Sequence, residues 1–468
     1  MSLYKSISDY NLIYQNDDTL VSFEIEKVIN QLETLGKKLD AVSFIDREFS
    51  LKQCKDLSNK KKSLPLFGVP LAHKELYGRF IENGISWPNE GGSKSYESQK
   101  SNKTAFVIKR LDNAGSIDCG RLVSVEYALG VTGHNEWSGT PKNPWNLEYI
   151  CGGSSSGSGC VVAAGIVPAA LGSDTGGSIR LPAAACGLVG IKPTHGLVSR
   201  VGVFPLSNSL DTVGPLARTV NDAAKVLEII TGYDPNDPSS IKVPFNKFSK
   251  NIGLSVDKIK IGLPKNYFLE GTDTEMSDYT SDSFDLIAKL GYKCKDIVLP
   301  EINTINTLNF LLIATEAAKI HKKHILENHN KLNKQTLMRI LAGIYTSSEE
   351  YEKLLLCRSS ILKKFLHNVF EEVDIIVTPV WPFTLPTIKE SDLRANPEAE
   401  PLVQRIGHNT RPVNFLGLPA VCIPTGFDKN GLPVSLQLIG SPYSEKTLLT
   451  VAKRLENEYS FWDQKPKI

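Results

Sequence analysis

The chain has 468 residues, of which 41% are hydrophobic and 22% are charged, a balance that predicts a globular protein with a large apolar core. The formal net charge of +2 gives no reason to expect a nucleic acid or a membrane as partner. The eight cysteines show no CxxC spacing, the first residues lack the apolar segment of a signal peptide, and no apolar run reaches the ~18 residues of a membrane span. We therefore expect a cytoplasmic protein with reduced cysteines.

Hydrophobic periodicity predicts helices and strands in alternation. Helices are expected over residues 21–45, 104–113, 157–164, 219–231, 275–290, 308–370 and 445–456. Strands are expected over residues 117–120, 169–173, 258–263, 374–379, 420–424 and 432–439. This alternation is typical of the α/β class with a large sheet. We expect a single domain over residues 1–468, with the Pro-, Asp-, Asn- and Ser-rich stretch 235–251 as the candidate for a minor subdomain break.

Two loops rich in glycine and serine lie close together in the chain. Residues 152–159 read GGSSSGSG, and residues 174–180 read DTGGSIR. Serine supplies a hydroxyl nucleophile, and glycine allows backbone dihedrals that turn N–H groups towards a ligand. The two loops therefore predict an acyl-transfer site built from serine and backbone amides.

The residues alone leave open what activates the serine. Ser155 is the centre of a G-x-S-x-G pattern, but a nucleophile elbow needs a preceding strand and a partner histidine, and residues 144–148 are a poor strand. Cys151 and Cys160 flank the first loop, yet no cysteine-centred motif supports a thiol nucleophile. The phosphate-binding signature G-x-x-x-x-G-K-[ST] is absent.

Two further groups of basic residues are candidates for the site. His321, His324 and His329 are too loosely spaced for a metal site, and we expect them at the surface. Lys74 is the one lysine in an apolar segment bounded by glycine and proline, residues 68–75. A buried lysine can be neutral and act as a base, although a lone lysine there is more often a surface residue.

Longer segments resemble the amidase signature family. They are GVPLAHK at 68–74, GGSSSGS at 152–158, GSDTGGSIRLPA at 172–183 and CGLVGIKPT at 186–194, and the resemblance continues through residues 209–215, 414–419 and 431–437. It implies an amide hydrolase of α/β fold, in which a large central mixed β-sheet is covered by helices on both faces. It implies no metal and no other cofactor.

The resemblance also implies a Ser–cis-Ser–Lys catalytic triad. The lysine is Lys74, the bridging serine is Ser154 on a cis Gly153–Ser154 peptide, and the nucleophile is Ser178. Ser155 is expected to support the triad by hydrogen bonding. The implied oxyanion hole consists of the backbone N–H groups of Thr175, Gly176, Gly177 and Ser178.

Asp174 and Arg180 stand on either side of the implied nucleophile loop. We interpret them as a structural ion pair that holds the loop, in preference to substrate contacts. Arg339 lies near the position of a carboxylate-binding arginine in glutamine-using members of the family. Contact with an acid group of the substrate is one interpretation of Arg339, and an ordinary place on a helix surface is the favoured one.

Some members of the family are the glutaminase subunits of tRNA-dependent amidotransferases, which work with a partner protein. This chain departs from their pattern at Leu181, at residues 120–123 and at residues 408–414, where no acidic residue precedes the Asn-x-x-Gly-Leu-Pro motif. We therefore expect a stand-alone hydrolase of a small-molecule amide, and the alternative is such a glutaminase with its partner subunit. An inactive binding protein is less favoured because the triad is complete, and a homodimer is left open.

Overall fold

The computed structural model describes residues 4–57, 62–81, 86–244, 247–250, 252 and 258–468. Residues 245, 246 and 251 of the candidate subdomain break lie outside the described residues. Within these ranges, no helix is both long enough and apolar enough to cross a bilayer.

Strands and helices alternate along the chain. The strands are β1 (Val42–Phe44), β2 (Pro70–Lys74), β3 (Ile117–Leu122), β4 (Lys142–Asn143), β5 (Asn146–Ile150), β6 (Ala169–Asp174), β7 (Val189–Lys192), β8 (Thr212–Ala217), β9 (Lys260–Pro264), β10 (Lys293–Ile297), β11 (Ile375–Pro379), β12 (Ala420–Phe427) and β13 (Pro433–Gly440). The helices are α1 (Ile7–Asn16), α2 (Leu20–Gln31), α3 (Arg47–Leu57), α4 (Phe106–Asn113), α5 (Ser156–Ala163), α6 (Arg180–Ala185), α7 (Val220–Ile230), α8 (Thr274–Lys289), α9 (Ile302–Asn328), α10 (Lys334–Ile344), α11 (Ser348–Phe370), α12 (Ile388–Ser391), α13 (Glu400–Ile406), α14 (Arg411–Phe415) and α15 (Glu445–Tyr459).

The central sheet has eight strands in the order β10-β9-β11-β13-β12-β7-β8-β6. It is mixed, because β9 pairs in parallel with β10 and β11 whereas the pairs from β11 to β6 are antiparallel. Helices flank it, with α15 against β12 and α7 against β8. The predicted fold class, a large mixed sheet covered by helices, is confirmed.

A second sheet of three strands has the order β1-β3-β2 and carries Lys74 at the end of β2. Two side-chain bonds hold β2 and the segment that follows it beside β6 of the central sheet. The Leu171 N–H donates to His73 Nδ1 at 3.2 Å, and the Tyr77 hydroxyl donates to the Gly172 carbonyl at 2.6 Å. The end of β2 therefore meets the end of β6, where the second Gly/Ser loop begins.

Two of the predicted helices differ from the structure. The helix expected over 21–45 ends earlier, because Asp40 adopts a left-handed φ of 56° and residues 42–44 form β1. The helical stretch 308–370 is divided into three helices. Asn333 caps the start of α10, and Ser347 forms a capping box with Glu350 at the start of α11.

Candidate active site

Lys74 lies in the interior where the two sheets meet. Its side chain is fully buried, and its Nζ is 2.8 Å from Ser154 Oγ and 2.9 Å from Ser173 Oγ. Burial lowers the pKa of Lys74 to about 7, while the nearby carboxylates of Asp211 and Asp174 act in the opposite direction. Near neutral pH a large fraction of Lys74 is therefore a neutral amine that can accept a proton.

The first Gly/Ser loop presents Ser154 to this amine. The Gly153–Ser154 peptide is cis. Gly153 has no room for a side chain, because a Cβ there would lie 2.8 Å from the Gly133 nitrogen. Ser154 is completely buried, so its hydroxyl is shielded from bulk water.

Ser155 connects the two loops. Its N–H donates to the Ser178 carbonyl at 3.3 Å, and its Oγ donates to the Ser173 carbonyl at 3.3 Å. The Ser173 N–H in turn donates to Ser155 Oγ. These contacts place Ser155 beside the residues of the implied triad, in a position to set the spacing of Ser154 and Ser178.

The second loop is folded around the carboxylate of Asp174. Asp174 Oδ1 accepts the Gly177 N–H at 2.8 Å, and Oδ2 accepts the Ile179 N–H at 3.1 Å. Gly177 has a φ of 128°, which L side chains rarely adopt. The resulting turn places Ser178 between β6 and α6, where the residue is 5% exposed.

Arg180 anchors this turn to the rest of the fold. Its guanidinium pairs with Asp174 at 3.0 Å, with both side chains fully buried, and donates to Gln437 Oε1 and Asn414 Oδ1 at 3.0 and 2.6 Å. Burial by itself raises the pKa of the Asp174 carboxyl, but Arg180 outweighs this and holds the pKa below its usual value. The expected ion pair is present, and Asp174 makes no contact that points to a substrate.

The four implied oxyanion-hole N–H groups are not equivalent. The Gly177 N–H is already bound by Asp174, so it is unavailable to a substrate oxygen, and this differs from the expectation. The N–H groups of Thr175, Gly176 and Ser178 donate to no acceptor in the described ranges. Three free donors at one turn can stabilise a developing negative charge.

Gly177 also provides a test of the loop. A Cβ on Gly177 would lie 2.2 Å from Thr410 Oγ1, whereas a Cβ on Gly176 would meet nothing closer than 3.5 Å. We expect Gly177→Ala to lower the free energy of unfolding by about 1–2 kcal/mol and kcat by about 100-fold, because the donors move. Gly176→Ala, the matched control, is expected to change kcat by less than about 5-fold.

Thermal denaturation and amide-hydrolysis kinetics measure both effects. Equal kcat values for the two alanine variants would show that the Gly177 turn does not position the reacting groups.

Of the two links in the implied proton relay, Lys74–Ser154 is a hydrogen bond and Ser154–Ser178 is not. No hydrogen bond joins their hydroxyls in the described structure, although Ser154 is bonded to Lys74. Catalytic hydrogen bonds are often long in a ligand-free enzyme and shorten when substrate binds. Because Asp174 fixes the backbone at Gly177 and Ile179, on both sides of Ser178, we expect the Ser178 Oγ to approach Ser154 by a change of rotamer.

The alternative nucleophiles fit the structure less well. Burial raises the pKa of the Cys151 and Cys160 thiols, which disfavours the thiolate. The strand that a Ser155 elbow needs does exist as β5, contrary to the prediction, but it pairs with β4 outside the central sheet. Ser155 is hydrogen-bonded to backbone groups of residues 173 and 178, and no histidine bonds to it in the described residues.

One histidine prediction was wrong. His321 is buried, and bonds to the Tyr96 hydroxyl and the Pro205 carbonyl at 2.9 Å each occupy its two ring nitrogens. It belongs to an aromatic cluster and not to the surface. Across the described ranges, no group of three or more His, Cys, Asp or Glu side chains is arranged to hold a metal ion.

Ser178 opens into a pocket that several distant segments form together. It is lined by Ala128, Leu129, Gly130, Val131, Thr175, Gly176, Ser178, Leu206, Phe310, Ile313, Ala314, Arg339, Val403, Gln404 and Arg411. Arg339 is therefore a pocket residue and not an ordinary residue of a helix surface. The pocket residues 128–131 follow a left-handed backbone segment. Tyr127 and Ala128 have φ of 56° and 59°, a conformation that is rare for residues with a Cβ.

Sequence reasoning missed three residues of the site. Ser173 is the second partner of Lys74, and its signal was its place directly before Asp174 at the end of a buried strand. Asp211 accepts the Thr175 hydroxyl at 2.7 Å and lies within the segment 209–215 of the resemblance. Arg411 lines the pocket. The sequence feature that could have revealed it is a basic residue in the stretch 408–414, where the expected acidic residue is absent.

Comparison with known proteins identifies the family. A family model described as Amidase matches residues 24–449. The chain belongs to the amidase signature family. It is thus an amidase-signature hydrolase, an enzyme that acts on carbon–nitrogen amide bonds.

Relatives of this amidase fall into more than one functional class. A glutamyl-tRNA(Gln) amidotransferase subunit of Carboxydothermus hydrogenoformans is 33% identical, over 94% of each chain. The solved structure of the corresponding subunit from Thermotoga maritima is 29% identical and has a TM-score of 0.81, over 98% of this chain and 95% of that one. A further solved structure comes from a vestigial protein complex that reveals the evolutionary origins of an s-triazine catabolic enzyme. Its chain is 26% identical and has a TM-score of 0.89, over 99% of this chain and 100% of that one.

Proposed function

We propose that this amidase hydrolyses carboxylic amides through a covalent acyl-enzyme on Ser178. The observation that carries the proposal is the fully buried Lys74 amine, which is hydrogen-bonded to Ser154 and lies next to the loop that bears Ser178. A serine nucleophile needs a base, and no histidine is hydrogen-bonded to Ser154 or Ser178 in the described residues. A lysine kept neutral by burial can serve as that base.

The first half of the reaction forms the acyl-enzyme. Neutral Lys74 accepts the Ser154 proton while Ser154 accepts the Ser178 proton. Ser178 Oγ then attacks the amide carbon. The carbonyl oxygen gains the negative charge and accepts hydrogen bonds from the N–H groups of Thr175, Gly176 and Ser178. In acyl-transfer enzymes each such bond stabilises the transition state by a few kcal/mol.

The second half releases both products. Lys74, now an ammonium, returns its proton through Ser154 to the amide nitrogen, so the carbon–nitrogen bond breaks with ammonia or an amine as leaving group. Water then attacks the ester of Ser178, and the same relay takes the proton of the water. The carboxylic acid departs, and Ser178 regains its hydroxyl.

A glutaminase that works within a tRNA-dependent amidotransferase is the second candidate. The curated relatives favour it, since the relative that is 33% identical over almost the whole chain belongs to such an amidotransferase. The pocket lining favours the stand-alone hydrolase, because among the described residues it includes Arg339 and Arg411 and no acidic residue, whereas Glu400, which interacts electrostatically with Arg339, lines the adjoining cavity. The two candidates share the chemistry at Ser178 and differ in substrate and in the need for a partner subunit.

The purified chain assayed alone separates the candidates. We expect ammonia release from small aliphatic amides without tRNA or a partner protein, and a lower kcat/KM for glutamine. Glutamine hydrolysis that appears only after addition of tRNA and a partner subunit would overturn the stand-alone proposal.

A further inference from the structure

Asn309 is a buried polar residue whose side chain makes no hydrogen bond in the described part of the chain. It lies on α9 and is completely buried, and both its Oδ1 and its Nδ2 are without a partner. Among the described residues it is the one side chain with two such atoms. An amide that leaves water without gaining new bonds destabilises the folded state, so native proteins seldom keep one without a reason.

The Asn309 amide adjoins the turn that carries the oxyanion donors. A Cβ on Gly176 would lie 3.7 Å from Asn309 Oδ1 and 3.5 Å from Ile313 Cδ1. Ile313, one turn further along α9, lines the pocket that opens at Ser178, whereas Asn309 is not part of that lining. The amide therefore lies directly behind the pocket wall, next to the nucleophile loop.

The Thr175–Gly176 peptide is the part of this turn that still has bonds to make. In the described ranges its N–H donates to no acceptor and its carbonyl, that of Thr175, accepts no hydrogen bond. The next carbonyl, that of Gly176, is by contrast occupied by the Thr410 hydroxyl at 2.6 Å. In a trans peptide the carbonyl and the N–H point in opposite directions, so a donor to the Thr175 carbonyl orients and polarises the Gly176 N–H.

We propose that Asn309 is a positioning residue of the oxyanion hole, and that its amide donates to the Thr175 carbonyl when a negatively charged oxygen forms at Ser178. This inference rests on the proposed function and adds a residue to it. The unpartnered amide destabilises the free enzyme, and the bond that it gains stabilises the charged state selectively. We expect the change to be a rotation about the terminal side-chain torsion, which is broad in asparagine.

Replacement of Asn309 by leucine should change stability and catalysis in different directions. Leucine has the same branching but no polar group, so it removes an unpartnered amide from the interior. We expect the melting temperature to stay the same or to rise by up to about 3 °C. For pentanamide we expect kcat to fall by about 10- to 100-fold and KM to stay within about 2-fold, because the lost bond belongs to the charged state alone.

Tyr14→Phe is the matched control for this variant. The Tyr14 hydroxyl is also buried and without a partner in the described residues, but Tyr14 lies on α1 and does not line the pocket. Its replacement should likewise leave the melting temperature unchanged or higher, and should leave kcat within about 2-fold. Asn309→Ala avoids the greater bulk of leucine and should show the same loss of kcat.

A boronic acid measures the charged state without any turnover. Butylboronic acid adds to a serine hydroxyl to give a tetrahedral, negatively charged adduct that resembles the transition state. Asn309→Leu should weaken its inhibition by about 10-fold or more, whereas Tyr14→Phe should leave the inhibition within about 2-fold. The KM of pentanamide reports the uncharged ground state and should not follow this change.

Each outcome decides for or against the inference. Wild-type kcat and wild-type boronate inhibition in Asn309→Leu would overturn it and leave the proposed function standing. A melting temperature lower by more than about 5 °C in both Asn309 variants would also overturn it, because the amide would then support the free fold. Boronate inhibition that depends on Asn309, together with hydrolysis that persists in Ser178→Ala, would refute the proposed function and leave the inference.

Discussion

Replacement of Ser178 by alanine is expected to lower kcat/KM for amide hydrolysis by about 10,000-fold or more, because the other hydroxyl of the pocket lining, that of Thr175, is bound to Asp211. The variant should fold normally. Ser178 Oγ makes no hydrogen bond in the described structure, and the turn depends on Asp174, which the substitution does not touch. The measurement is steady-state hydrolysis of a small amide, with thermal denaturation as the check on folding.

Ser158→Ala is the matched control for this variant. Ser158 belongs to the same Gly/Ser run, lies in helix α5, is also buried and donates to the Leu171 carbonyl at 3.1 Å. Its replacement is expected to change kcat/KM by less than about 10-fold. A Ser178→Ala enzyme that retained activity within this range would show that the nucleophile is another residue.

Replacement of Lys74 by methionine is expected to lower kcat by about 1,000-fold or more and to remove the acid limb of the pH profile. Burial holds the pKa of Lys74 at about 7, so the wild-type rate should rise with pH between about pH 6 and pH 8. The sign follows from the chemistry: below the pKa Lys74 is an ammonium that cannot accept the Ser154 proton, and above it the amine is free. The residual activity of the variant should not change with pH in this range.

Lys192 offers a closely matched control for this test. It is also fully buried, and burial lowers its pKa to about 7 as well, but its Nζ bonds to the Pro193 carbonyl and not to a serine. Lys192→Met should keep the acid limb. If Lys192→Met removes the limb and Lys74→Met keeps it, the base has been misassigned.

The local parts of this site were predictable from the sequence. The runs of serine and glycine predicted both loops, and short-range periodicity predicted β6 and α5, the elements that carry them. The resemblance to a family then distinguished Ser154 from Ser155, which composition alone does not do. It did not predict that Asp174 binds the Gly177 N–H, because this depends on the turn geometry at one residue.

The parts that depend on distant contacts were not predictable. Lys74 gains its environment only because β2 lies beside β6, a contact between segments about 100 residues apart that periodicity does not report. The pocket has the same origin, since Arg339 and Arg411 belong to different helices that meet only in the folded chain. An expectation of a helix-surface arginine was reasonable for residue 339 and failed because α10 packs over the loop at Leu129.

The central claim, that Ser178 is a nucleophile activated by Lys74, is tested most directly by covalent labelling with a fluorophosphonate probe and mapping of the adduct by mass spectrometry. We expect one adduct, on the peptide that contains Ser178, absent from Ser178→Ala and formed far more slowly by Lys74→Met than by Lys192→Met. An adduct on Ser155 or a cysteine, or active enzyme that the probe does not modify, would contradict the account.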